Sequence, residues 1–537
     1  MALPEFGTDV KRLPGERVSP TYPPVQSAHG GRVTLTGRLL ARNALLNLAG
    51  QIAPIAAALV AIPVIVRGLG VERFGVLVLA WTLLGYLAVF DLGVGRATVR
   101  FAAQRLAGGD DAGLRAVVWT SLALNAALGI LGGVLLALAT PLLVDRVIRA
   151  TPDLQAEATG LLLVIATTVP VTLIMIGARG ILEAGQRFDL VNLVNAPSNA
   201  LTYLLSAAGT VLGLPLPVIG VLLLLNRVVG AGANVALALR SYPALRETPR
   251  PDRRHARQLI GYGRWLTVSN LLSPILVYAD RLVVSALLGI GLLGFYTVPS
   301  DMLLRLWIVP AAVTTTLFPA LGVIGAVDMS AASNLYGRAM RMVLLTVAPL
   351  AVLGAVFGAD LLRIWIGSDF ARQGGGVAAV LALGVLVGAL SSLPVTLIQS
   401  LGRPDLPAKL LAAEFIPYIA ATLLLTSGLG LVGTAIAWTG RSVVELAVLA
   451  VVAGRLTGRQ PGSEPRTRRA LVAVFVLGIA SALIAAASAP LALRLAAATT
   501  LFLGFIFAAW RSVIDPVDRR AILGAVGKGN EDGPSPA

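Results

Sequence analysis

Four arginines stand inside otherwise apolar runs of this chain: Arg227, Arg281, Arg305 and Arg441. A guanidinium is always charged and presents its donors in a planar fork, so its natural partner is an oxyanion. An ion at the centre of a membrane helix costs roughly 2.5–3.5 kcal/mol, so it needs a counter-charge or a wet cavity. Two of the four have a carboxylate one helical turn away: Asp301 lies four residues before Arg305, and Glu445 four after Arg441. Arg227 has Asn226, Gly230 and Asn234 nearby but no carboxylate. Asp280 adjoins Arg281, yet successive residues project about 100° apart on a helix, so mutual pairing is awkward and Asp280 is expected to fix a neighbouring helix. Arg305 and Arg441 therefore read as self-paired, and Arg281 and Arg227 as open to an anion or to a clamp between helices.

Polar stripes accompany the charges. Asn270, Pro274, Tyr278, Arg281 and Ser285 recur at helical spacing, as do Asn43, Asn47, Gln51 and Pro54, and again Asn192, Asn195 and Asn199. Such faces suit sugar hydroxyls or contacts between helices. Glu414, near the inner end of its run, reads as a proton-coupling group or as half of an ion pair. The two histidines and the absence of cysteine argue against a metal site, a histidine dyad or a disulfide framework. The Gly-rich piece "RQGGGVAA" has no P-loop Lys-Ser/Thr, which argues against an ATP site.

The elements that must hold these residues are helices in a bilayer. Of 537 residues, 56% are hydrophobic and 13% charged, and the mean hydropathy is +0.83. Apolar windows of about 20 residues recur almost throughout, each long enough to cross a hydrocarbon core of about 30 Å. The pattern predicts an all-α polytopic membrane protein of about fourteen spans. Of the 43 Lys and Arg, seven fall at external ends (Arg67, Arg73, Arg146, Arg149, Arg363, Arg372, Arg494) and four inside spans; the remainder lie on the other side. That bias places both termini in the cytoplasm. It also assigns the net charge of +16 to anionic lipid rather than to nucleic acid.

The expected organisation is a disordered cytoplasmic tail (1–42) without a removable signal peptide, a first lobe of six spans (43–240) and a basic linker (241–263). A second lobe of six (264–454) follows, then a basic linker with two further spans (455–511) and a tail (512–537). The lobes read as a duplication at an offset near 220. "PVTLI" occurs at 170–174 and 394–398, followed by "GQRFDL" and "GRPDL"; "LGVERFG" at 69–75 answers "LGIGLLG" at 288–294; Pro54 and Pro197 answer Pro274 and Pro417. An even number of spans per copy makes this a parallel repeat, the architecture of a transporter with its path between the lobes. Forty Arg against three Lys, with abundant Ala, suggests a GC-rich bacterial genome; the location expected for such a multi-pass chain is the bacterial plasma (inner) membrane.

At this point the residues resemble a known group. The segment from Pro63 to Gly75, the "DLGVGRATVR" of Asp91 to Arg100, "YADRLVVSALLGIGLLGFYTVP", "LFPAL", "LLRIWIGSDFA" and "SLGRPDLPAKLLAAEFIPYIAA" are similar, in order and spacing, to segments of the polysaccharide transporters of O-antigen flippase type. The resemblance runs from about residue 40 to 455. It implies the multidrug/oligosaccharidyl-lipid/polysaccharide exporter fold and a substrate of undecaprenyl-diphosphate-linked oligosaccharide, flipped from the cytoplasmic to the outer leaflet beside glycan polymerase and assembly proteins. No cofactor is implied, and H+ or Na+ coupling stays open. In that frame Arg281 and Arg227, supported by Arg305 and Arg441, are expected to hold the diphosphate. Asn47, Gln51, Asn195, Asn270 and Tyr278 are expected to face the sugars, and Asp280, Asp301, Glu414 and Glu445 to serve as ion-coupling groups or clamps.

Three rivals stand beside this reading. A multidrug antiporter should prefer acidic cavity residues, and a lipid II flippase would fit the same spans and cationic path. A membrane glycosyltransferase or polymerase, the enzyme alternative, would need a larger external loop than any here.

Overall fold

The structure is a computed structural model that describes residues 37–86, 90–148, 151–247, 278–325, 327–458 and 491–512. It also describes a two-residue strand pair (25–26 with 32–33) and scattered positions within 252–276 and 466–480. Asn270, most of the expected seventh and thirteenth spans and most of both tails lie outside these residues, as does the side chain of Asn47.

Every long element is a helix. α1 (Gly37–Tyr86) contains the first two expected spans, divided at Gly70, whose φ of 75° only glycine adopts without strain. α2 (Val94–Gly108), α3 (Asp111–Leu143), α4 (Pro152–Ala184), α5 (Phe188–Val211) and α6 (Leu216–Ser241) complete the first half. The second half holds α7 (278–288), α8 (Ile290–Leu304), a 3-10 turn at Arg305–Trp307, and α9 (Ile308–Gly325). α10 (Met329–Trp365), α11 (Ser368–Ser400) and α12 (Asp405–Thr457) follow, α12 divided at Gly430. α13 (Leu491–Ser512) docks on α10 through Arg494, which pairs with Asp360 at 3.1 Å and lies over the Phe357 ring. Among the described residues nine helical stretches are long and apolar enough to cross a membrane, two of them the double-length α1 and α12. The chain is a multi-pass membrane protein.

The duplication is visible in the junctions. Gly70 (φ 75°, ψ 170°) and Gly289 (φ 94°, ψ 156°) are 219 residues apart and break their helices in nearly the same conformation. Asp110 and Asp328, 218 apart, each accept a backbone N–H of the helix they open. Gln186 and Gly402, 216 apart, and Gly213 and Gly430, 217 apart, all have positive φ. α4 and α11 are both 33 residues long and start 216 apart. The "PVTLI" copies, 224 apart, therefore stand about two turns out of register on these helices, and their identity marks no equivalent place.

Within the first half α1 packs on α5, and α4 on α3, α6 and α2; within the second, α11 packs on α10, α12, α8 and α9. α1 against α8 joins the halves, and one continuous apolar cluster runs through both.

Candidate functional site

Arg281 leaves α7 toward α1 and α8. Its Nη2 donates to Oδ1 of Asp301 at 2.5 Å, its Nη1 to Oγ1 of Thr82 at 3.3 Å, and the guanidinium lies 5.0 Å from the centre of the Tyr278 ring. Tyr278 packs in turn on Tyr86, with ring centres 5.5 Å apart. Arg281 is thus a buried cation with a counter-charge, its side chain 7% exposed against 46% for Asp301. This corrects the expectation that Arg281 stands free for an anion and that Tyr278 faces sugars; Tyr278 is the floor under Arg281. Asp280 does what its angle predicts: it accepts the Tyr296 hydroxyl of α8 at 2.5 Å and the N–H of Arg281 at 2.7 Å.

The expected Asp301–Arg305 pair does not form. Residues 301–304 are regular α-helix and the 3-10 turn begins only at Arg305, so the carboxylate is lost to a competing partner and not to a change of register. Asp301 goes to Arg281, and Arg305 is left exposed with Nη2 3.5 Å from the Tyr203 hydroxyl of α5. The Tyr203 ring meets Trp81 edge to face, with centres 5.2 Å apart. Asp301, Arg305, Tyr203, Trp81 and Trp365 line a cavity of about 170 Å³ between the halves, whose remaining walls are mostly apolar, including Ile55, Leu59 and Phe74. Arg281 and Asp301 cancel, so Arg305 gives this cavity its net positive charge.

The remaining arginines lie elsewhere. Nη1 of Arg441 is 3.5 Å from Glu414 and 3.7 Å from Glu445, over the Tyr418 ring, so one cation sits between two carboxylates. Glu414 is 8% exposed, and neither of its oxygens has a hydrogen bond. Arg227 is half-buried on α6, which packs on α4 and α5; it lines neither the cavity nor the Arg281 cluster. Asn195 is buried with both amide atoms unpartnered, and Gln51 is exposed on α1. The four arginines thus occupy three places, and Arg305 alone lines the cavity.

Trp81, Tyr203 and Trp365 are the functional candidates that charge spacing does not reveal. Trp365 donates its indole N–H to the carbonyl of Leu59 at 2.7 Å, across the two halves. A sequence signal for it existed. Pro63 lies four residues after Leu59 and has no N–H, so the Leu59 carbonyl loses its helical partner and must find another. The "DLG" of Asp91 also has a local role, since its carboxylate accepts the Gly95 N–H at the start of α2 at 2.9 and 3.0 Å.

Comparison with known proteins agrees with this architecture. A protein of Shigella flexneri described as "Putative O-antigen transporter" is 28% identical over 420 residues, which is 76% of this chain and 96% of that protein. The fold resembles that of the lipid II flippase MurJ in its inward closed conformation, with a TM-score of 0.67, 12% identity and coverage of 88% of this chain and all of that one. It also resembles an inward-facing multidrug resistance MATE transporter of the MOP superfamily, with a TM-score of 0.62, 17% identity and coverage of 77% and 98%. Residues 40–324, just over half of the chain, match the family described as "Polysaccharide biosynthesis protein". With the match spanning both the first half and the Arg281–Arg305 region of the second, this chain belongs to that polysaccharide biosynthesis family.

Proposed function

We propose that the chain is a flippase, and not an enzyme, that moves an undecaprenyl-diphosphate-linked oligosaccharide from the cytoplasmic to the outer leaflet of a bacterial plasma membrane. Fourteen spans with both termini inside form two six-helix lobes and an appended pair, and the lobes open alternately to either side. The observation that carries the reading is Arg305, an exposed guanidinium on a cavity at the junction of the halves whose nearest buried cation, Arg281, is already neutralised. A cation there matches a diphosphate better than it matches a cationic drug. Trp81 and Tyr203 present aromatic faces beside it, apolar bodies suited to the C–H faces of sugar rings, and Tyr203 adds a hydroxyl. The Shigella protein's description points the same way. Glu414, with Arg441 and Glu445, is the place where H+ or Na+ coupling would act, and glycan polymerase and assembly proteins are the expected neighbours.

The test is glycan display in cells whose own transporter has been deleted. Arg305→Ala is expected to lower surface glycan at least tenfold, the loss of roughly one charge-assisted contact to a phosphate. Arg305→Lys should recover part of it. Wild-type display by Arg305→Ala would overturn the assignment, and failure of the wild-type chain to display any lipid-diphosphate glycan, lipid II included, would overturn the function.

A further inference from the structure

The duplicated "LG-x-x-x-x-G" segments have a role beyond turning the chain. The first glycine of each copy, Gly70 and Gly289, makes the break. The last glycine of each copy, Gly75 and Gly294, faces the opposite copy. A Cβ on Gly75 would run into the backbone oxygen of Ile290, and a Cβ on Gly294 would stand 2.8 Å from the Phe74 ring. Between them, a Cβ on Gly291 would be in ordinary contact with Glu72, at 3.5 Å from its Cγ. The last glycine of each copy therefore packs against the other copy, as two copies facing each other across an axis along the membrane normal would.

The inner part of this meeting is apolar and buried, while Glu72 lies exposed at its edge. Phe74 is fully buried, and its ring contacts Phe370 at 6.5 Å between centres; Phe370 contacts Phe295 at 4.6 Å. Phe74 is also a wall of the cavity that Arg305 lines, so the seam closes one end of that cavity. Two further bonds cross between the halves toward the same end: Ser285 Oγ to the Val147 carbonyl at 2.9 Å, and Trp365 to Leu59. Tight glycine packing and a few bonds on exchangeable partners describe a surface that can part and re-form. Neither half is cross-linked to the other there by an ion pair among the described residues.

We propose that the two "LG-x-x-x-x-G" copies form the outer gate of the transport path, a reciprocal seam in which Gly75 and Gly294 admit the opposite copy and Phe74 plugs the cavity. The gate rests on the transporter reading and on the orientation given above. In each transport cycle the seam must separate far enough to let Phe74 meet outside water.

The chain has no cysteine, so introduced pairs report without background. In Glu72→Cys/Gly291→Cys, mild oxidation is expected to form a disulfide between the copies, because the two positions already stand near bridging distance. Glycan display should then fall at least tenfold and return on reduction. Absence of the cross-link, or full display with it in place, overturns the gate. A second measurement does not depend on what is carried: Phe74→Cys, labelled on intact cells with a membrane-impermeant maleimide. Labelling is expected at a rate well above that of Ile165→Cys, a control fully buried in the first half. Equal protection of both overturns the proposal. Labelling of Phe74→Cys, together with no glycan display by the wild-type chain, would leave the gate standing and remove the substrate assignment instead.

Discussion

Removing Asp301 should expose how much of this fold depends on one cross-helix pair. Arg281 is 7% exposed, with Asp301 at 2.5 Å as its counter-charge and a long bond to Thr82 as its other side-chain partner named above. Two unit charges about 4 Å apart attract by about 4 kcal/mol at an effective dielectric of 20. Breaking a buried pair by deleting one partner costs about 3–5 kcal/mol, mostly the desolvation of the ion left behind. Asp301 is 46% exposed, so water screens the pair and reaches part of the vacated space. The expected cost of Asp301→Ala is therefore about 2–3 kcal/mol. Arg281→Met/Asp301→Ala removes both charges and fills the space with an apolar chain, so it should lie within about 1 kcal/mol of wild type. The coupling read from a double-mutant cycle on detergent-driven unfolding is then about 2 kcal/mol. Additive single effects, or an Asp301→Ala protein as stable as wild type, would refute the account of Arg281 as a paired clamp. Transport gives the companion readout: the double variant should display more glycan than Arg305→Ala, because Arg281 holds helices while Arg305 meets the cargo.

Two further outcomes follow from named partners. Trp365→Phe leaves the Leu59 carbonyl without a donor and should cost about 1–2 kcal/mol in the same unfolding assay; Pro63→Ala, which restores an N–H four residues on, should shrink that cost, and an undiminished cost would show that the carbonyl is not what Trp365 serves. At Asp110, outside the spans, the Gly113 N–H and then Arg105 hold the carboxyl below its ordinary value. A carboxyl lowered on folding stabilises fully above its unfolded value of about 3.9 and loses that contribution as pH falls through the lower folded value. Wild type should therefore lose stability relative to Asp110→Asn on acidification below about pH 4, and a difference independent of pH would contradict the linkage.

What the sequence reveals and what it hides separate along physical lines. A backbone position that must take positive φ restricts residue choice severely, so Gly70 and Gly289 stand out as an aligned pair in the amino-acid letters themselves. Five apolar or small residues in a helix restrict little, and the "PVTLI" identity, though exact in letters, falls two turns out of register. Charges behave in the same divided way. The angle between Asp280 and Arg281 is a property of one helix, and it correctly sends Asp280 to Tyr296 on another. The partner of Arg281, twenty residues away on α8, is a property of packing and has no local signature. Arg305 shows the most instructive failure: the i, i+4 rule considers one helix alone, and Asp301 is claimed by Arg281 from α7 instead. That competition leaves Arg305 exposed on the cavity. Had Asp301 paired with Arg305, Arg281 would be buried without its counter-charge, so the cross-helix pair that defeats the local rule also accounts for the exposed cation on the cavity wall.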